Sequence, residues 1–322
     1  LNTSLNIGII GPGRVAERHA VALKDVANAR LWSVCGKDIT KTKAFALHHQ
    51  AQSDINAYNN IKKMLDDSAL DAVIIATPDD LHLNHLLMAM EAGKSVLVEK
   101  PLCTSLIEPK ELLDLQQKHN STIALGYHLR WNTGLRKLAN FIHQNKMGSI
   151  NHMRIRWAVN FVDHAKWRIN QKRRTWCCLS ALGTHLMDLA KWMMTPQCGP
   201  IQEIKSFIKT IDNTYSDGTD LIIIQFKSGA TAEIYCSLVC DLPFNLEIYS
   251  EKDIVVATDL AGKFEHRKIM INDEPLVFEN ANSYVSQLND FVNAIRERRN
   301  PEVTLLEGLD NVLNLLAIYP LR

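Results

Sequence analysis

At 322 residues the chain is long for a single hydrophobic core, and a division into two domains is expected. Its 36 Lys and Arg against 35 Asp and Glu leave a formal charge of +1, which excludes the broad basic field that holds nucleic acid, so any anion site must be local. No apolar stretch approaches the roughly 18 residues that a spanning helix needs, and Leu1 to Ile10 runs into a strand instead of a signal-peptide core; no membrane partner is expected, and the cytoplasm is the expected compartment.

Leu5 to Ile10 is an apolar run that stops at Gly11-Pro12-Gly13, after which Val15, His19, Ala22 and Leu23 recur at helical spacing. A second apolar segment, Arg30 to Cys35, completes a strand-helix-strand unit. Buried-strand candidates follow at Ala72 to Ala76, Ser95 to Val98 and Thr122 to Leu125, separated by helical patterns near Asn60 to Leu65, Leu81 to Ala92 and Glu108 to His119. This alternation predicts a parallel sheet covered on both faces. After about residue 123 strands come in succession, at His152 to Asn160, Ile204 to Ile211, Leu221 to Lys227, Thr231 to Leu238, Asn245 to Ser250 and Asp253 to Thr258. Ser228-Gly229 is a hairpin signal, so this second sheet is expected to be mostly antiparallel. Further helices are predicted near Leu135 to Gln144, Thr184 to Met194, Ser283 to Arg298 and Leu305 to Ile318. The fold class is therefore α/β: a Rossmann domain over residues 1–123 and an α+β domain with a large open sheet over 124–322, whose C-terminal helix packs back on the first domain.

Gly11-Pro12-Gly13-Arg14-Val15-Ala16 matches the G-x-G-x-x-G/A dinucleotide loop, and it lies between a strand and a helix as that loop requires. The second strand ends in Val34-Cys35-Gly36-Lys37-Asp38, with no acid in the place that normally binds the adenosine ribose. Gly36 is read as leaving room for a 2′-phosphate and Lys37 as its cation, with Lys41 and Lys43 as helpers, which favours NADP and leaves NAD possible. The alternative is a solvated turn in which Asp38 serves the ribose. Seven cysteines without C-x-x-C spacing are read as reduced thiols. His48-His49 and the pair His82 and His85 lack further ligands at suitable spacing and read as surface helix histidines, so no metal is expected.

Ala76-Thr77-Pro78 with His82, Glu99-Lys100-Pro101, and Gly183-Thr184-His185 followed by Asp188 together resemble the glucose-fructose oxidoreductase/inositol dehydrogenase (Gfo/Idh/MocA) family along essentially the whole chain. Trp167-Arg168 also sits where that family tends to have a Trp-Arg pair, and Arg130-Trp131-Asn132 resembles the entry to its substrate domain. The resemblance implies an oxidoreductase that moves hydride between nicotinamide and a secondary alcohol or ketone of a sugar-like small molecule. It also implies a homodimer or homotetramer. Independently, Thr77, Pro78 and Lys100 fall at strand carboxyl ends, where open α/β sheets bind ligands. Lys100 is the candidate for holding the reacting oxygen, with Glu99 as its electrostatic partner and Lys100-Pro101 as a candidate cis peptide. His185, which Asp188 could orient, is the candidate acid/base, with Tyr127, His128 and His164 next in line. The chain departs from the family's D-x-G-x-H at Ala181, and Thr175-Trp176-Cys177-Cys178 replaces a glycine-rich stretch, so Trp176 is expected to reshape the substrate pocket. A catalytically silent dinucleotide or sugar sensor is the competing reading.

Overall fold

The computed structural model describes residues 4–104, 109–161, 176–211 and 216–319. Trp167, Arg168 and His164 lie outside the described residues. The first alternating stretch forms Leu5–Ile10 (β1), Arg14–Leu23 (α1), Ala29–Cys35 (β2), Ile39–His48 (α2), Ala57–Tyr58 (β3), Ile61–Leu65 (α3) and Ala72–Ile75 (β4). It continues with His82–Glu91 (α4), Ser95–Val98 (β5), Pro109–His119 (α5) and Ile123–Leu125 (β6). The six strands lie in the order β3-β2-β1-β4-β5-β6, and every neighbouring pair is parallel. Strand order reverses between β1 and β4, which makes their carboxyl ends the ligand-binding edge of the sheet. Helix α2 carries no strong amphipathic pattern, and β3 is two residues long, which is why periodicity does not reveal them.

The second series contains Thr133–His143 (α6), Ile150–Ala158 (β7), Thr184–Cys198 (α7), Ile201–Thr210 (β8), Asp217–Phe226 (β9) and Thr231–Ser237 (β10). Leu242–Ser250 (β11), Ile254–Thr258 (β12), Lys268–Ile271 (β13) and Glu274–Pro275 (β14) complete it. The eight strands run β14-β13-β12-β11-β7-β10-β9-β8, antiparallel throughout except for the β7–β10 pair. The β9–β10 hairpin turns at Gly229, whose φ of +91° lies in the region that favours glycine. Alternate residues Ile222, Ile224, Ile234, Leu246 and Ile248 are buried on one face. On other positions of the same strands Arg154 pairs with Glu233 at 3.0 Å and Arg156 with Glu247 at 2.7 Å, a charged cross-strand ladder.

Two further helices follow, Ser283–Glu297 (α8) and Leu305–Ile318 (α9). Leu288, Phe291 and Val292 of α8 share a core with Ile7 and Ile9 of β1 and Ala16 and Ala20 of α1. The two compact units are accordingly Leu1–Trp131 with Ala281–Asp310, and Asn132–Asn280 with Asn311–Arg322. The contact division falls after Trp131, where the sequence reading divides at 123/124. Residues 128–131 pack on α8, and β6 gains an antiparallel bridge, Ala124 to Thr304, from a segment 180 residues away in sequence, a non-local contact that local pattern does not carry. Among the described residues no helix is long and apolar enough to cross a membrane.

Candidate active site

In the first unit, Gly11 turns the chain out of β1 at φ +92°, and a Cβ there would lie 2.8 Å from the Thr77 backbone. Only glycine permits both the turn and the approach of the β1 and β4 ends. Gly13 caps α1 in extended conformation with no side-chain cap, and a Cβ there would meet nothing within 4 Å. The first amides of α1 therefore open onto clear space, which suits a pyrophosphate at a helix N-terminus. Arg14 is exposed and Val15 half-buried on the first turn of that helix.

Gly36 does not leave the room expected of it: a Cβ there would lie 2.6 Å from both Pro12 Cδ and Thr42 Oγ1. The glycine is needed because Pro12 of the cofactor loop packs against it. Asp38 is the N-cap of α2, its Oδ1 accepting from the Thr40 and Lys41 amides at 3.0 and 3.2 Å, and Lys37 beside it is exposed.

His82 and His85 are buried histidines of α4, not surface ones. His82 lies with Nε2 2.9 Å from the Thr77 carbonyl and Nδ1 2.7 Å from the Pro101 carbonyl, so its ring ties the β4 end to the turn after β5. That role holds Thr77 and Pro78 in place, at the sheet edge where a cofactor contact is expected of His82. His85 Nδ1 stands 3.1 Å from Thr77 Oγ1, and burial holds the ring's pKa below its ordinary value.

Lys100 follows β5, half-buried, and Lys100-Pro101 is cis. Glu99 is buried beside it, but its hydrogen-bonded partner is His19 of α1, 2.7 Å away, whereas Lys100 offers it a backbone amide at 3.3 Å. Burial alone would push the Glu99 carboxyl up; the hydrogen bond and attraction of His19, with the pull of His128 and Lys100, outweigh it and leave the pKa below the usual value. His128 stacks on Tyr284 of α8 at 4.7 Å, and Tyr284 meets His19 edge-on at 5.0 Å. Burial pushes His128 down to about 4 and Tyr284 well up. Behind Lys100 thus stands a buried carboxylate held by a histidine inside an aromatic wall. His19 and Tyr284 were not singled out in the sequence, where His19 reads as one more residue on the buried face of α1. A polar residue at an apolar-periodic position is the signal that was available. Arg130, read from the sequence as a substrate contact, is buried with Nη1 2.6 Å from Glu307 Oε1, an intramolecular ion pair.

In the second unit a π-helical turn, Leu179–Gly183, leads into α7, placing Ala181 on the turn and His185 in the first turn of the helix. His185 is buried with the Trp157 ring 6.4 Å away, and Trp157 stacks on Phe244 at 5.2 Å. The Thr184 carbonyl accepts from Asn311 Nδ2 at 3.0 Å, which fixes the start of the helix. Asp188 is buried one turn on. Trp176, expected from the sequence to reshape the substrate pocket, is fully buried and donates Nε1–H to the Tyr319 carbonyl at 2.7 Å. All seven cysteines carry free thiols. Among the described residues two side-chain groups have metal-ligating composition: Glu17 with His48 and His49, and Cys178 with Asp220 and Cys236. Glu17 is the partner of the two histidines, its Oε2 2.8 Å from His49 Nε2 and its Oε1 4.0 Å from His48 Nε2.

Residues 5–127 match the family described as "Oxidoreductase family, NAD-binding Rossmann fold", and residues 135–256 match the GFO/IDH/MocA C-terminal domain. The chain belongs to the GFO/IDH/MocA oxidoreductase family. Its first domain is an NAD-binding Rossmann domain, and the family is one of NAD(P)-dependent sugar and polyol oxidoreductases. The chain is 27% identical over 259 residues to glucose-6-phosphate 3-dehydrogenase of Bacillus subtilis, covering 76% of this chain and 72% of that one. It is 22% identical over 329 residues to myo-inositol 2-dehydrogenase of Thermotoga maritima, covering 98% and 94%. The fold is shared with aldose-aldose oxidoreductase from Caulobacter crescentus, solved with glycerol, at a TM-score of 0.87 and 18% identity over 98% of this chain and 96% of that one.

Proposed function

We propose that this GFO/IDH/MocA protein is a dehydrogenase or reductase acting on a secondary alcohol or ketone of a sugar or polyol. The observation that carries this reading is Lys100 at the carboxyl end of β5, backed by the buried Glu99–His19 pair, on the sheet edge that also bears the open Gly13 turn. The nicotinamide dinucleotide would supply or accept the hydride. The α1 amides after Gly13 would hold its pyrophosphate, and Thr77 and Pro78, fixed by His82, would border it. Lys100 would stabilise negative charge developing on the reacting oxygen, and His185 would exchange the hydroxyl proton. With Ala181 in place of the family's acid, proton transfer rests on His185.

NADP is the preferred cofactor in this reading. Asp38 Oδ1 caps α2, and the exposed Lys37 beside the β2 end is the cation this reading assigns to a 2′-phosphate. Titration of the intact protein with NADPH and NADH tests it: tighter NADPH binding is expected, and tighter NADH binding overturns the preference. Homo-oligomerisation through the open sheet of the second unit is part of the same proposal, and a monomeric mass by light scattering at micromolar concentration would contradict it. The catalytic proposal is tested by following reduced nicotinamide absorbance across a panel of sugars and polyols.

A further inference from the structure

The side chains that flank Trp157 on its face of the second sheet are sealed, but Trp157 is not. Ile155 precedes it by two residues on β7, Cys236 stands level with it on β10, and Phe244 stacks on it from β11; each is at most 1% exposed. Trp157 shares the face of Ile155 by strand alternation, yet it is only half-buried. Its ring centroid lies 6.4 Å from that of His185, the two planes inclined at 40°. Phe244 lies nearly parallel to the indole, 5.2 Å away at an interplanar angle of 17°, and so holds one of its faces. Core packing accounts for the sealed neighbours; it does not account for a large apolar ring left part-open beside a histidine. A rigid aromatic plate next to a polar group suits a ligand with an apolar side and a polar rim.

Given a sugar or polyol substrate, the reading on which this step rests, we propose that Trp157 is the platform on which the substrate stacks, so that the site selects a six-membered ring with equatorial hydroxyls. In such a ring the axial C–H bonds make each face apolar, while the hydroxyls project around the edge. One face lies on the indole, opposite Phe244, through dispersion and the attraction of weakly positive C–H bonds to the negative aromatic face. An edge hydroxyl is then the group presented to His185. An open-chain polyol has no preformed face and must lose rotational freedom to make one. Axial hydroxyls interrupt the face and would be stripped of water against the indole. Trp157 thus sets the shape of ring accepted at the place where His185 exchanges the proton.

The full chain, saturated with NADP⁺ and separately with NAD⁺, is titrated with four probes: the all-equatorial rings scyllo-inositol and methyl β-glucoside, allo-inositol, whose axial hydroxyls break both faces, and open-chain glucitol. Affinity is read by calorimetry, contact by saturation-transfer NMR, and turnover by reduced-nicotinamide absorbance in the same samples. An all-equatorial ring should bind at least about 10-fold more tightly than allo-inositol and glucitol, and transfer to methyl β-glucoside should concentrate on the protons of one ring face. Trp157→Leu should weaken the all-equatorial rings by about 3-fold to 10-fold and leave the weak glucitol binding unchanged. Trp157→Phe, which keeps an aromatic plate, should retain most of the preference. Equal affinity of the wild type for rings and glucitol overturns the platform, as does ring affinity that survives intact in folded Trp157→Leu, or no binding at all. If Trp157→Leu does not fold, the wild-type preference and its one-sided transfer decide. Selective ring binding without turnover leaves the platform standing and defeats the dehydrogenase reading; turnover with ring affinity indifferent to Trp157→Leu does the reverse.

Discussion

His128 provides a quantitative test of the buried wall behind Lys100. In the folded protein burial holds its pKa at about 4, against 6.5 in the unfolded chain. Above pH 6.5 both states leave the ring neutral and the difference is silent. As pH falls from 6.5 towards 4 the unfolded chain takes up a proton that the folded protein refuses, so stability is lost through this window. At pH 5 the gap is about 1.5 pH units of full linkage, or about 2 kcal/mol relative to pH 7. His128→Gln removes the titration while keeping a polar side chain of similar reach. Urea unfolding of wild type and variant at pH 7 and pH 5 isolates the effect as a double difference, because every other titrating group cancels. The wild type should lose about 2 kcal/mol more than the variant between the two pH values. Equal losses would refute the burial of His128 against Tyr284 and with it the geometry behind Lys100.

Three further outcomes follow from the site. Gly13→Val places its side chain in open space, so the thermal midpoint should stay within about 2 °C of wild type, while dinucleotide affinity falls by at least about 10-fold to 100-fold; unchanged affinity in calorimetric titration would remove the loop assignment. Gly36→Ala drives a methyl into Pro12 and Thr42 and should destabilise the protein by about 1–3 kcal/mol in chemical denaturation, whereas the reading of Gly36 as vacant space for a phosphate predicts a neutral change. His185→Ala should lower kcat by about 100-fold to 10,000-fold at unchanged cofactor affinity, and wild-type turnover with chemistry rate-limiting would move the proton-transfer role elsewhere.

Much of the first domain was legible because its information is local. The apolar run before Gly11, the small residues of the loop and the strand-helix rhythm each sit within a few turns of chain. The roles of single polar residues were less legible. His82 reads as a cofactor contact until its two ring nitrogens are seen between the Thr77 and Pro101 carbonyls, and Glu99 reads as the partner of Lys100 until His19, eighty positions away, is found beside it. Arg130 is read through its likeness to the entry of the family's substrate domain and Trp176 through its replacement of a glycine-rich stretch; their contacts with Glu307 and the Tyr319 carbonyl span more than a hundred residues and leave no local signal. Gly36 shows the same limit in reverse. Its lack of a side chain reads as room for a ligand, whereas the fold fills that room with Pro12.

The most direct test of the oxidoreductase proposal is a two-stage measurement on one preparation: NADPH or NADH binding by fluorescence, then reduced-nicotinamide absorbance with a panel of sugars, polyols and their keto forms. The expected result is saturable cofactor binding and turnover of at least one secondary alcohol or ketone, with Lys100→Ala keeping the binding and losing the turnover. Saturable binding with no turnover by the wild type in either direction across the panel would contradict the catalytic reading and favour a dinucleotide-dependent sensor.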